Sequence, residues 1–278
     1  MWECKLELNK IHNMDCLIGL RQMPDKCVDI VVTSPFYNLG HSCRGGEMVN
    51  MYEGFDDNMT QEEYYKFISD TLKELIRVTR GYVFFNFQML TNNKLAYLRI
   101  LGDFRENIKD IIIWHKKQWE PSIQPTCLSS AFEYIVVFTS KEQAQKRSFE
   151  RAFFNNRISG QQTSNVIHGD SASRKELNSE QGSNKAVFPQ YFVRWFIDKF
   201  TEKGDIVLEP FAGSGTTCLV AQQSQRNFIG FEINSEYCDV GNNRLKQKSL
   251  NTLLKENNLT DFAKKEVDQY EKMPGQNK

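Results

Sequence analysis

One stretch limits the fold of this chain more than any other. Residues Asp205-Ile206-Val207-Leu208-Glu209 form an apolar run of strand length that passes directly into Pro210-Phe211-Ala212-Gly213-Ser214-Gly215-Thr216-Thr217, and a helical segment follows over 216–225. Proline ends the strand ladder because it has no N–H. Two glycines two residues apart then let the backbone approach a ligand closely and aim the first N–H groups of the helix at it. Glu232 stands near the end of the next strand, 227–233, where an acid is placed to accept hydrogen bonds from ribose hydroxyls. A phosphate loop would need a lysine after Gly215, and a dinucleotide fingerprint would need a third glycine where Cys218 stands. The ligand that remains is a nucleoside without a pyrophosphate. A tight strand–helix turn with no ligand is the plainer alternative.

The rest of the chain repeats this alternation. Strand-like runs at 6–12, 28–32, 82–87, 111–115 and 133–139 are separated by helical segments at 17–23, 60–80 and 93–101, and further helices are expected at 191–200 and 235–247. Thr60 followed by Glu63 is a capping box, and Tyr64, Phe67, Ile68, Leu72, Leu75 and Ile76 line one face of the helix it opens. Strands alternating with helices imply a mostly parallel sheet covered on both faces. The short gap between 111–115 and 133–139 allows one antiparallel pair. Residues 39–60 read as a long polar loop. In 140–186 apolar periodicity disappears and basic residues outnumber acids, which marks an insertion rather than core.

The strand 28–32 runs into Thr33-Ser34-Pro35-Phe36-Tyr37-Asn38. Pro35 stops the ladder, and two large aromatics follow where a loop is ordinarily polar. Either Phe36 and Tyr37 fold back onto the core, or they form a rigid lip with a hydroxyl, a carbonyl and a flat ring able to stack on a nucleobase.

Composition narrows the classes. The chain is 278 residues, 40% hydrophobic and 25% charged, as expected of a soluble globular protein. It has no apolar run long enough to span a bilayer and no signal-peptide pattern, so no membrane role is expected. Seven scattered cysteines form no C-x-x-C pair and no cluster with histidine. No metal is therefore expected, and reduced thiols in a cytoplasm fit best. Net charge is zero, so nucleic-acid binding would need a local basic face.

Together the two motifs resemble the amino-group DNA methyltransferases of the permuted class, in which the catalytic motif precedes the cofactor motif. The resemblance rests on Ser34-Pro35-Phe36-Tyr37 and on Glu209-Pro210-Phe211-Ala212-Gly213-Ser214-Gly215-Thr216-Thr217, and covers roughly 6–139 and 187–247. It departs from the family pattern where Phe36 replaces a second proline and Glu209 an aspartate. It implies an α/β, Rossmann-like methyltransferase with a mostly parallel seven-stranded sheet, an antiparallel edge hairpin and helices on both faces. The catalytic half would be 1–139, the target-recognition insertion 140–186, the cofactor half 187–248 and a helical tail 249–278. The implied cofactor is S-adenosylmethionine, held by Asp15, Cys16, Phe188, Pro189, Glu209, Phe211, Ala212, Gly213, Ser214, Gly215, Thr216 and Glu232. Ile112-Ile113-Trp114-His115-Lys116 resembles the strand behind the target base, and Phe132-Glu133-Tyr134 the glutamate–aromatic step after it.

The implied reaction is methylation of an exocyclic amine of double-stranded DNA. Ser34 Oγ and the Pro35 carbonyl would accept the amine's hydrogens, and Tyr37 would stack on a base flipped out of the duplex. Phe36 would line the pocket or face the core. Serine at the first position is associated in the family with cytosine N4, and adenine N6 is the alternative. Candidate DNA contacts are Arg44, Lys116, Lys117, Trp119, Arg147, Arg151, Arg157 and Arg174, with a solvated charged insertion as the competing reading. A cognate restriction endonuclease and a homodimer are partners that the resemblance admits. A catalytically silent nucleic-acid-binding relative is a second hypothesis. An RNA or protein-glutamine methyltransferase is disfavoured, because there the glycine turn comes first.

Overall fold

The computed structural model describes residues 4–38, 42–44, 47–49, 58–117, 126, 128–153, 163–171 and 187–256. In chain order the elements are β1 (Lys10–Asn13), α1 (Cys16–Arg21), β2 (Val28–Thr33), β3 (Ser42–Arg44), β4 (Glu47–Val49), α2 (Gln61–Val78), β5 (Thr79–Phe87), α3 (Lys94–Asp103), β6 (Ile108–His115), β7 (Phe132–Phe138), α4 (Lys141–Gln145), β8 (Val166–His168), α5 (Gln190–Phe200), β9 (Ile206–Glu209), α6 (Thr216–Gln223), β10 (Asn227–Glu232) and α7 (Ser235–Glu256).

Eight strands form one sheet in the order β1-β10-β9-β2-β5-β7-β6-β8, and β3 and β4 form a separate hairpin. Only β7 opposes the common direction, pairing antiparallel with both β5 and β6. The expected antiparallel pair is present, but it is not the edge. β8 lies outside it, parallel to β6, and makes eight strands where seven were expected. β8 comes from the segment expected to lie outside the core, yet Ile167 is buried. Three residues are too few to show a period.

The sheet divides the core by alternation along each strand. Val28 and Val31 of β2 and Val83, Phe85 and Phe87 of β5 pack with α1, α2 and α3 through Leu20, Tyr64, Ile68, Leu72, Leu75 and Tyr97. Ile30, Val32, Tyr82 and Phe84 face the other side, against Phe192, Val193, Phe196 and Phe200 of α5 and Leu219 and Val220 of α6. α2 starts as its sequence requires. Thr60 accepts from the Glu63 N–H while the Glu63 carboxylate accepts from the Thr60 N–H.

Candidate functional site at the sheet switch point

β9 and β2 are neighbours, and the chain leaves them in opposite directions: β9 proceeds through α6 to β10, β2 through α2 to β5. Where neighbouring parallel strands diverge, a crevice opens beyond their carboxyl ends. Ile30 pairs with Val207 and Val31 with Leu208, so Thr33-Ser34 and Glu209-Pro210 emerge side by side. Thr33 Oγ1 donates to Glu209 Oε1 at 2.5 Å across that seam, joining segments 176 positions apart. The crevice is about 370 Å³ and is lined on one wall by Asp15, Cys16, Glu209, Phe211, Gly213 and Glu232, and on the other by Ser34, Pro35, Tyr37, Trp114, Lys116 and Glu133. That size suits a small-molecule site.

On the first wall the turn is built from glycine. Gly213 (φ +52°) and Gly215 (φ +79°) are left-handed. A Cβ on Gly215 would also lie 2.7 Å from Ile11 Cδ1. The place of a third glycine is taken by buried Cys218, and close packing is restored from the strand side. Gly230 of β10 lies where a Cβ would come 3.0 Å from the Cys218 sulfur. Glu232 accepts from the Gly213 N–H at 2.7 Å and the Asn234 N–H at 2.8 Å, so it braces the turn while lining the crevice. Asp15 caps α1 by accepting from the Ile18 N–H at 3.1 Å. Phe188 lines the crevice and packs on Trp114 and Phe192, whereas Pro189 caps α5 and Gly215 caps α6, both outside the lining.

Glu209 is the electrostatic centre of this wall. Burial pushes its carboxyl up to about 8, against the opposing hydrogen bonds from Thr33, the Phe211 N–H and Thr217. So raised, the acid holds its proton and is largely neutral near pH 7, and a positive charge beside it would lower it again. Burial also raises Glu232, and pushes the Cys16 thiol up to about 12, which makes it an inert packing group.

On the second wall the backbone of the catalytic motif is pinned carbonyl by carbonyl. The Phe36 carbonyl accepts from Tyr64 Oη at 2.6 Å, and Tyr64 Oη in turn meets Tyr97 Oη at 2.5 Å. The Tyr37 carbonyl accepts from Asn93 Nδ2 at 2.7 Å. Asn38, left-handed at φ +53°, is held through its amide by the Met59 backbone and the Asn92 carbonyl. Among the described residues the Pro35 carbonyl meets only the Ser34 hydroxyl, at 3.4 Å. Phe36 satisfies both sequence alternatives: its ring packs on Tyr64 and Phe67 and also contributes to the lining. Behind Ser34, Tyr37 Oη joins Ser34 Oγ, Asn86 Nδ2 and Glu133 Oε2, and Lys116 pairs with the other Glu133 oxygen.

Comparisons with known proteins give the family. The model of the DNA methylase family N6_N4_Mtase matches residues 28–243. The chain belongs to this family. The DNA methylase is 28% identical over 270 residues to the Type II methyltransferase M.BglII of Bacillus subtilis, covering 85% of this chain and 68% of that one. It is 26% identical over 254 residues to the DNA adenine methyltransferase YhdJ of Escherichia coli strain K12, covering 86% and 83%. Its fold matches the solved PvuII cytosine-N4-specific DNA methyltransferase with a TM-score of 0.64 at 18% identity, over 88% of this chain and 94% of that one.

The candidate DNA contacts of this methylase separate. Arg151 is corrected: it lies at the opposite, amino-terminal ends of the strands, paired with buried Asp29 at 2.7 Å and with Asp205 at 2.8 Å. A guanidinium engaged by two carboxylates away from the crevice serves the fold. Lys116 is inside the crevice, Lys117 and Arg147 are exposed, and Arg44 is the last residue of β3. Trp119, Arg157 and Arg174 lie outside the described residues. No group of three or more His, Cys, Asp or Glu among the described residues could hold a metal, and no described helix is long and apolar enough to cross a membrane. Sequence reasoning missed Asn86 and Asn93. Asn86 left one signal, a polar residue within the aromatic run 82–87 near a strand's carboxyl end.

Proposed function

We propose that this DNA methylase moves a methyl group from S-adenosylmethionine to the exocyclic N4 of a cytosine flipped out of a specific duplex sequence. The observation that carries this reading is the shared crevice, with Ser34 and Tyr37 on one wall and the Gly213 turn on the other. The lining fits a nucleoside cofactor: Asp15 and Glu232 offer acceptor oxygens, and the Gly213 turn and Phe211 border the same crevice and would hold the group there. When bound, S-adenosylmethionine supplies an electrophilic methyl group.

The protein's task is to prepare the amine. Its lone pair is delocalised into the base ring, and acceptors for both of its hydrogens favour a pyramidal nitrogen with the pair localised. Ser34 Oγ and the Pro35 carbonyl are those acceptors. Among the described residues the Pro35 carbonyl meets only the Ser34 hydroxyl, at 3.4 Å, whereas the Phe36 and Tyr37 carbonyls are engaged by Tyr64 and Asn93. Positioning and preorganised dipoles supply the rate, with no protein nucleophile. Tyr37 stacks on the flipped base, Lys116 borders it, and Lys117, Arg147 and the β3–β4 hairpin with Arg44 meet the duplex. A cognate restriction endonuclease and a homodimer remain partners that the family resemblance admits. The free thiols Cys4, Cys16, Cys27, Cys218 and Cys238 support a cytoplasmic setting.

Adenine N6 is the second reading, favoured by the similarity to the adenine methyltransferase of E. coli. Incubation with labelled S-adenosylmethionine and mixed-sequence DNA, then digestion to nucleosides, separates the two. N4-methylcytosine supports the first reading and N6-methyladenine the second. Cofactor binding without any methylated nucleoside would overturn both and favour a silent DNA-binding relative.

A further inference from the structure

The row of hydroxyls behind Ser34 has a direction. Ser34 Oγ lies nearer to Tyr37 Oη, at 3.0 Å, than to its other acceptor, the Pro35 carbonyl at 3.4 Å, so its proton goes to Tyr37, and Tyr37 Oη donates to Glu133 Oε2 at 3.1 Å. Hydroxyls alone would allow either polarity, since each can donate or accept. An ionised carboxylate only accepts, and Glu133 ends the row at 6% exposure. Asn86 enforces the same sense. Its Nδ2 donates to Glu133 Oε2 and to Tyr37 Oη, each at 2.6 Å. Turning this amide round would set its oxygen against the carboxylate. Lys116 pairs with the second Glu133 oxygen while its ammonium lies 5.0 Å from the Trp114 ring centre, which anchors the carboxylate in place.

We propose that Glu133 is a positioning residue for methyl transfer, setting the polarity of the Tyr37–Ser34 row so that Ser34 Oγ meets the base amine as an acceptor only. With its proton committed to Tyr37, Ser34 turns lone pairs toward the amine hydrogens. In the reversed row Ser34 would point its O–H at the amine nitrogen and occupy the electron pair that must attack. The inference rests on the assignment of Ser34 as an amine acceptor, and it extends the site to β7 and β5, away from both motifs.

The test is a double-mutant cycle read by single-turnover methyl transfer from labelled S-adenosylmethionine. Glu133→Gln keeps the shape and puts an amide donor where an oxygen accepted, so the row is free to reverse. The rate is expected to fall at least tenfold, while the KM for DNA and the cofactor dissociation constant stay within about twofold. In a Ser34→Ala background the same substitution is expected to change the rate less than twofold, because Glu133 acts through Ser34. Tyr37→Phe keeps the stacking ring, breaks the row in its middle and supplies the cycle if Glu133→Gln fails to fold; Ser34→Ala is then expected to abolish its effect in the same way. An equal loss in both backgrounds, or an unchanged rate for Glu133→Gln, overturns the positioning role. Absence of methyl transfer by the unsubstituted protein overturns instead the functional reading beneath it.

Discussion

Glu209→Gln isolates the most unusual group in the site. Burial holds the Glu209 carboxyl near 8 against an ordinary value of 4.5. A raised acid keeps its proton in the folded protein over a range where the unfolded chain has lost it. The native state therefore binds more protons, and the stability this contributes is complete below about pH 4.5 and is lost as pH climbs through 8. At about 1.4 kcal/mol per pK unit the full span is about 5 kcal/mol. Relaxation and water entry reduce such figures, so a loss of roughly 2–4 kcal/mol between pH 5 and pH 9 is the expected size.

Glutamine mimics the neutral acid. Its carbonyl can keep the bonds from Thr33 Oγ1 and the Phe211 N–H, and its amide can donate to Thr217 Oγ1, which reverses its role. Urea unfolding from pH 5 to pH 9 should give nearly equal stabilities at pH 5. The glutamine variant should then become the more stable one above pH 8, by roughly 2–4 kcal/mol. Parallel curves across the range would show that Glu209 is not the proton-binding group of the native state.

Ser34→Ala should lower the methyl-transfer rate on the order of a hundredfold and leave cofactor affinity unchanged in a direct binding assay, since it removes one amine acceptor. Gly215→Ala forces a left-handed φ on alanine and a 2.7 Å approach to Ile11; a thermal melt should show a loss of about 1–3 kcal/mol. Thr60→Ala removes a satisfied cap from α2 and should cost about 1 kcal/mol in the same measurement. Arg151→Ala removes one partner of buried Asp29, which keeps Arg80 and the Ile206 N–H, and should lower stability by about 1–3 kcal/mol and leave the salt dependence of DNA binding unaltered. A shallower slope would restore Arg151 as a phosphate contact.

Both motifs were legible because each joins a strand to chemistry that a strand alone does not need. Glu209 to Thr217 states its geometry locally, in a proline stop, two left-handed glycines and a helix start. The capping box at Thr60 and Glu63 and the apolar runs that became β2 and β5 were equally local. Local signals could not show that Thr33 would donate to Glu209, because that contact depends on strand order in the sheet rather than on spacing along the chain. They could not show β8 either, since three residues gain strand character only by pairing with β6. Arg151 looked like its basic neighbours in 140–186. Only the fold brings Asp29 and Asp205 to it from distant strands.

Phe36 shows how a departure from a family pattern can be offset by tertiary structure. A second proline would stiffen the lip through its own ring. With phenylalanine there, the stiffness comes from outside the motif: the Phe36 carbonyl is tied to buried Tyr64, Tyr64 to Tyr97, and the ring is packed against Tyr64 and Phe67 at 5.4 Å. The Tyr37 carbonyl and Asn38 are held in turn from α3 and the segments flanking it and α2. For the proposed reaction a rigid lip has to hold one carbonyl, that of Pro35, in place beside the Ser34 hydroxyl, its one partner among the described residues. Three neighbouring groups locked by tyrosine and asparagine achieve that with a single proline.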